Sequence, residues 1–187
     1  MKRHYFIAVS LPNQVKQYLK DITQQVAVLY PFEKWVHEED YHITLAFLGP
    51  SDQQKWIDCM EDIEREIQAT PAFSMQISHF GIFGKEEKPR IFWCGLQEDK
   101  RLVSLQEKVT QICKKHHYRI DEKPFRPHIT VARKYKHDVL FRKDNLTTCD
   151  AFLKEEQVFM VNTITLYESR VEKTPKYTAL RSIYLKE

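Results

Sequence analysis

The sequence predicts a single domain of mixed helix and strand, residues 1–187, built as two similar halves around a cleft. Three observations carry this. Short strand-like stretches alternate with amphipathic helices along the chain. Two of those stretches, His42-Ile43-Thr44-Leu45 and His128-Ile129-Thr130-Val131, set a His and a Thr two residues apart between branched apolar residues. Landmarks also recur at one offset. His42 and His128 lie 86 positions apart, as do Phe6 and Phe92, Phe73 and Phe159, and Pro89 and Pro175. Each half then reads strand, helix, His-x-Thr strand, intervening segment, strand, which is the signature of an internal duplication.

Tyr5-Phe6-Ile7-Ala8-Val9 is an apolar run of strand length. From Asn13 to Leu29, Val15, Leu19, Ile22, Val26 and Leu29 recur every three or four residues, the period of an amphipathic helix. Pro12 suits its first turn and Pro31 ends it. The first His-x-Thr strand follows and stops at Gly49-Pro50, with Phe47 on the apolar side beside Ile43 and Leu45. Ser51 is the expected N-cap of a helix over 53–68, with Trp56, Met60, Ile63 and Ile67 as its buried stripe. Phe73, Met75 and Ile77 alternate with polar residues as a half-buried strand, and Pro89-Arg90 opens the strand Ile91-Phe92-Trp93-Cys94. A third long helix covers 100–116, with Leu102, Leu105, Val109 and Ile112 on one face. After the second His-x-Thr strand, 134–145 is basic and turn-like. A short helix is expected near 149–153, and final strands over 158–166 and 177–185.

Composition bounds the function. Charged residues make up 29% with both signs mixed, and the net charge of +3 is too weak to prove a nucleic-acid partner by itself. Cys59, Cys94, Cys113 and Cys149 form neither a Cys-x-x-Cys pair nor a zinc-finger spacing. They read as reduced and structural, which fits a cytoplasmic protein. The run 5–9 is too short for a signal peptide, and no apolar run reaches the ~18 residues of a membrane span. Nothing points to an obligate oligomer, so a monomer is expected.

Two imidazoles on opposite sides of a substrate can serve as general base and general acid in one displacement. Phosphoryl transfer suits that layout, because attacking and leaving oxygens lie roughly in line. A hydroxyl beside each imidazole can hold a non-bridging oxygen, no metal or other cofactor is needed, and a cyclic phosphodiester is a good match. A lone His-x-Thr is more simply a structural histidine; the symmetric pair argues for a site. Metal binding by His42 and His128 is the other reading, weakened because neither strand supplies an acid two residues on. His4, His37, His79, His116, His117 and His137 have no partner motif.

These stretches resemble the 2H phosphoesterase superfamily, and within it the LigT-like RNA 2′,3′-cyclic phosphodiesterases, also called 2′-5′ RNA ligases. The matching pieces are Tyr5-Phe6-Ile7-Ala8-Val9 with Leu11-Pro12, Trp35-Val36, His42 to Gly49, Gly81-Ile82-Phe83, 89–93, and 125–133. The resemblance implies a bilobal, duplicated α+β fold, two antiparallel sheets lining a central cleft with helices on the outside. It implies metal-free hydrolysis of an RNA terminal 2′,3′-cyclic phosphate, or of a nucleoside 2′,3′-cyclic phosphate, to the 2′-phosphate, with reverse 2′-5′ ligation as a side activity. His42 is then proton donor to the leaving 3′ oxygen and His128 the base. Thr44 and Thr130 hold phosphate oxygens. Arg133 looks like a phosphate-binding arginine, although strand parity turns it away from His128 unless a bulge intervenes. Phe83 resembles a nucleobase-stacking aromatic or is a core Phe, and Arg126 is either an RNA-backbone contact or a plain surface residue. A non-catalytic RNA-end or nucleotide-binding module remains the alternative to an enzyme, with a metal-dependent hydrolase as a third reading.

Overall fold

The computed structural model describes residues 3–136, 138, 140–153 and 156–187. His137, read above as an isolated histidine, lies outside them.

The strands are β1 (His4–Ser10), β2 (Phe32–Trp35), β3 (His42–Pro50), β4 (Phe73–Lys85), β5 (Lys88–Leu96), β6 (His128–Tyr135), β7 (Val158–Val161), β8 (Thr163–Ser169) and β9 (Tyr177–Tyr184). The helices are α1 (Asn13–Leu29), α2 (Gln53–Ile67), α3 (Lys100–Lys115) and α4 (Asp144–Asp150), with a 3₁₀ turn at Glu38–Asp40. The apolar periods fall where the sequence puts them, except that Leu29 at the end of α1 is exposed and Trp56 in α2 is only half-buried. In α1, Val15, Leu19, Ile22 and Val26 are buried, and the same is true of Leu102, Leu105, Val109 and Ile112 in α3. The cap of α2 is Asp52, not Ser51: the Asp52 carboxylate accepts from Lys55 N at 2.9 Å, while the Ser51 hydroxyl bonds the Tyr118 hydroxyl at 2.7 Å. The short helix starts at Asp144, earlier than expected, and buries Cys149. β2 has no period of its own in the sequence, because four residues are too few to display one.

The named strands pair antiparallel in one nine-stranded sheet of order β7–β4–β5–β6–β3–β1–β8–β9, with β2 on β6. Two separate sheets are the expectation; here a single residue pair, Ile43 opposite Ile129, joins the two four-strand runs. The reason lies in β2. It occupies the edge of β6 from Ala132 to Tyr135, and Val36 N donates to the Val131 carbonyl at 2.9 Å. β3 can therefore meet β6 only at its start. Ile43, Ile129, Ile7 and Ile164 are fully buried, so the core runs behind this seam. α3 packs against β3 and α2, and α4 packs against β4.

Three of the four offset landmarks are not counterparts. Phe73 and Phe159 lie in neighbouring paired strands, β4 and β7. Pro89 opens β5, whose place in its run is mirrored by β1, whereas Pro175 precedes β9. Phe6 pairs with Phe47 and Ile91 pairs with Arg133, so the register matches Phe6 to Ile91 rather than to Phe92.

Candidate active site

β3 and β6 carry the same irregularity. Against β1, Ala46 faces Ile7 and Thr44 faces Ala8, leaving Leu45 without a partner. Against β5, Ala132 faces Phe92 and Thr130 faces Trp93, leaving Val131 without one. A residue inserted in this way is a β-bulge, and it reverses which face later side chains take. Leu45 and Ala46 are both buried, as are Val131 and Ala132, and the next residue in each strand returns to the His face. The bulge that Arg133 requires is therefore present. It also overturns the placement of Phe47 in the core: Phe47 is 54% exposed.

The pair Ile43–Ile129 sets His42 and Thr44 on one side of the seam and His128 and Thr130 on the other, all on one face. Both imidazoles are held alike. His42 Nδ1 lies 2.7 Å from the Asp40 carbonyl, and His128 Nδ1 lies 2.7 Å from the Arg126 carbonyl. A carbonyl only accepts, so each Nδ1 carries the proton and each Nε2 is left for chemistry. The Thr44 hydroxyl is 3.1 Å from His42 Nε2 and donates to it while the ring is neutral.

Burial is the main influence on both rings. It pushes the His42 pKa down to about 4 against the opposing pull of the Asp40 carbonyl, and the nearby His128 and Arg133 charges add to the lowering. The His128 pKa is also lowered, first by burial and then by Arg133, with the Arg126 carbonyl opposing. Both rings are thus neutral at pH 7 in the free protein.

The walls around the two rings differ. His42 sits among Phe6 (centroids 4.8 Å), Tyr167 (6.1 Å) and the edge-on ring of Tyr177 (5.2 Å). Phe83 meets His128 edge-on at 4.9 Å and leans on Trp93 at 5.1 Å; it is half-buried and belongs to the site wall. Trp93 lies across Gly81 and Gly95, where a Cβ on Gly81 would fall 2.2 Å from its ring. The Trp93 Nε1 is buried and has no hydrogen-bond partner among the described residues. The Arg126 side chain is exposed, and only its carbonyl enters the site.

Two residues of the site escape a reading of the sequence. The buried Asp40 carboxylate accepts from Lys176 N (2.9 Å to both oxygens) and from Tyr177 N (3.0 Å), tying the start of β9 to the turn that holds His42. Its signal was faint: an acid two residues before the first His. Tyr177 gave none. Burial raises its pKa while the facing Arg133 lowers it, which brings the β9 tyrosine and the β6 arginine together across the seam.

Among the described residues no three His, Cys, Asp or Glu side chains converge as a metal cage would need. A recess of about 490 Å³ between β4 and α3 carries Lys100, Arg101 and Lys108 but no acid–base pair.

The model of the 2′-5′ RNA ligase superfamily matches residues 11–173. The chain belongs to this superfamily. A relative from Geobacillus stearothermophilus named RNA 2′,3′-cyclic phosphodiesterase is 39% identical over 186 residues, 99% of this chain and 58% of the relative. The chain thus spans little more than half the length of that relative. One of the same name from Bacillus subtilis is 29% identical over 95% of this chain and 93% of its own length. Among solved structures, E. coli LigT complexed with 3′-AMP superposes with a TM-score of 0.78 at 22% identity, covering 100% of both chains. TT0787 of Thermus thermophilus gives 0.74 at 25% identity over 97% of both. Superfamily membership and these likenesses fix an α+β fold with a large antiparallel sheet and four helices.

Proposed function

We propose that this superfamily member hydrolyses terminal 2′,3′-cyclic phosphates of RNA to 2′-phosphates, without a metal, through His42 and His128. One observation carries the reading: two imidazoles, each fixed with Nδ1–H on a main-chain carbonyl, turn their Nε2 atoms to one face of a shared seam. The names of the relatives point the same way.

A water oxygen attacks phosphorus as His128 Nε2 takes its proton. The bond from phosphorus to the 3′ oxygen breaks, and that oxygen takes the proton from His42 Nε2. The assignment of acid and base follows the superfamily resemblance. The lowered His42 pKa is compatible with it, because a phosphate anion between the rings raises both pKa values. When His42 Nε2 gains its proton, the Thr44 hydroxyl no longer donates to it and can turn to a phosphate oxygen. Thr130 holds a second phosphate oxygen from β6, and Arg133 supplies charge. In this reading Phe83, against His128, receives the terminal base. A 5′-hydroxyl in place of water would give a 2′-5′ bond.

The same reading takes the two four-strand runs as lobes of a duplicated unit, supported by the matching bulges at Leu45 and Val131. Four buried free cysteines fit a reducing, cytoplasmic setting. Among the described residues no helix is long and apolar enough to cross a membrane.

The test is incubation with a 2′,3′-cyclic-phosphate oligonucleotide, with and without EDTA, and identification of the product isomer. Chelator-resistant formation of the 2′-phosphate is expected. His42→Ala and His128→Ala should each cost ~10²–10⁴-fold in turnover. Tight binding with no turnover in the wild type would instead favour a non-catalytic RNA-end module.

A further inference from the structure

The bulges give the two lobes different side chains at one equivalent place. In β6 the position after Val131 and Ala132 is Arg133; in β3 the position after Leu45 and Ala46 is Phe47. The guanidinium is half-buried against the phosphate site, while the phenyl ring stands free. Phe47 is the one exposed phenylalanine among the described residues. Its face is the catalytic one, since it pairs with Phe6, whose ring touches His42. The exposed ring of His4, two residues before Phe6 on the same face of β1, backs it at 5.9 Å and 34°. Measured along β1, Phe47 lies two residues beyond Thr44, roughly 7 Å at about 3.4 Å per residue. That is comparable to the step between neighbouring nucleotides in an unstacked single strand.

An exposed aromatic one nucleotide step from a phosphate-holding threonine has a definite use. We propose that Phe47, backed by His4, is a stacking platform for the nucleobase adjoining the cyclic end, so that the site prefers an RNA strand over a mononucleotide. This rests on the cyclic phosphodiesterase reading above. The terminal base is held on the β4–β5 side by Phe83, and the next base folds over the β3 side. Stacking tolerates any base, because every base presents a π-face. The preference is therefore for strand length rather than for sequence.

The experiment compares kcat/KM on a nucleoside 2′,3′-cyclic phosphate with that on a dinucleotide ending in a 2′,3′-cyclic phosphate. Stacking worth ~1–3 kcal/mol per base corresponds to about 5- to 150-fold. The wild type should favour the dinucleotide by a factor in that range. Phe47→Ala and Phe47→Leu should bring the ratio close to one, and Phe47→Trp should keep it. The Leu variant retains apolar bulk, so it reads the loss of the aromatic face even where Ala disturbs folding. Calorimetric binding of the mononucleotide and dinucleotide 2′-phosphates reports the same ratio without turnover. Absence of hydrolysis with the binding ratio intact would overturn the enzymatic reading alone. A wild-type ratio near one, or one unchanged by Phe47→Leu, would overturn the stacking platform. Equal losses on both substrates would make Phe47 part of the terminal nucleoside's site and would overturn it too.

Discussion

Burial of the His42 ring favours its neutral form, and that has a consequence for stability. Its folded pKa of about 4 lies below the ordinary value of 6.5, so the unfolded chain binds the proton more readily. Stability contributed by the neutral ring is complete above about pH 6.5 and is lost as pH falls towards 4. His128 acts in the same direction. Urea unfolding at pH 4.5 and 7.5 should show a smaller loss on acidification for His42→Gln than for the wild type. A second residue-scale expectation concerns Asp40. Replacing it with Ala leaves the N–H groups of Lys176 and Tyr177 without their acceptor, each at a cost of about 1–3 kcal/mol. The melting temperature should fall, and turnover should fall with it because the turn carrying the Asp40 carbonyl loses its anchor. Asn, with one acceptor oxygen, should rescue only in part. The grouping of His42, Thr44, His128 and Thr130 on one face could be read in the sequence because His-x-Thr alternation is a local pattern. Asp40 and Tyr177 could not, since the bond between them spans 137 positions and leaves no periodic trace.

At the scale of elements, the bulges do what regular strands cannot. In an unbroken strand Arg133 and His128 would face opposite ways, and Phe47 would join Ile43 in the core. The extra residue at Leu45 in β3 and at Val131 in β6 reverses both outcomes. Period-two reading places everything up to Leu45 and Val131 and misplaces Phe47, because a bulge has no composition of its own when the inserted residue is another aliphatic. Arg133→Ala should raise KM for cyclic-phosphate substrates more than it lowers the melting temperature, as measured by initial rates and thermal scans. The β4–β5 pair is equally exacting. Gly81→Ala drives a methyl into the Trp93 ring, and overpacking of this kind costs typically 1–3 kcal/mol. Since Phe83 and Trp93 both touch His128, kcat/KM should fall as well, and tryptophan fluorescence should report the displaced ring.

For the whole molecule, helices were easier to read than sheet order. Helical periods are written within a few turns of chain, so α1, α2 and α3 fall within a residue or so of their expected limits. Strand order depends on partners far apart, and the common offset does not set Phe73 and Phe159, or Pro89 and Pro175, at matching places in the sheet. The joining of both runs into one sheet turned on β2, four residues long, taking the free edge of β6.

The narrowness of that junction has a consequence for how the site can change. Among the described residues, the rings around His42 come from β1, β8 and β9, and those around His128 come from β4 and β5. The walls around the two imidazoles are therefore furnished by separate stretches of polypeptide, which the named strands bring together at Ile43 and Ile129. Tyr167 and Phe83 touch different imidazoles, so Tyr167→Phe with Phe83→Leu should combine additively in kcat/KM, whereas Arg133, which lowers the pKa of both rings, couples the two sides. The aromatic wall of each imidazole can thus change by substitutions that leave the other wall in place.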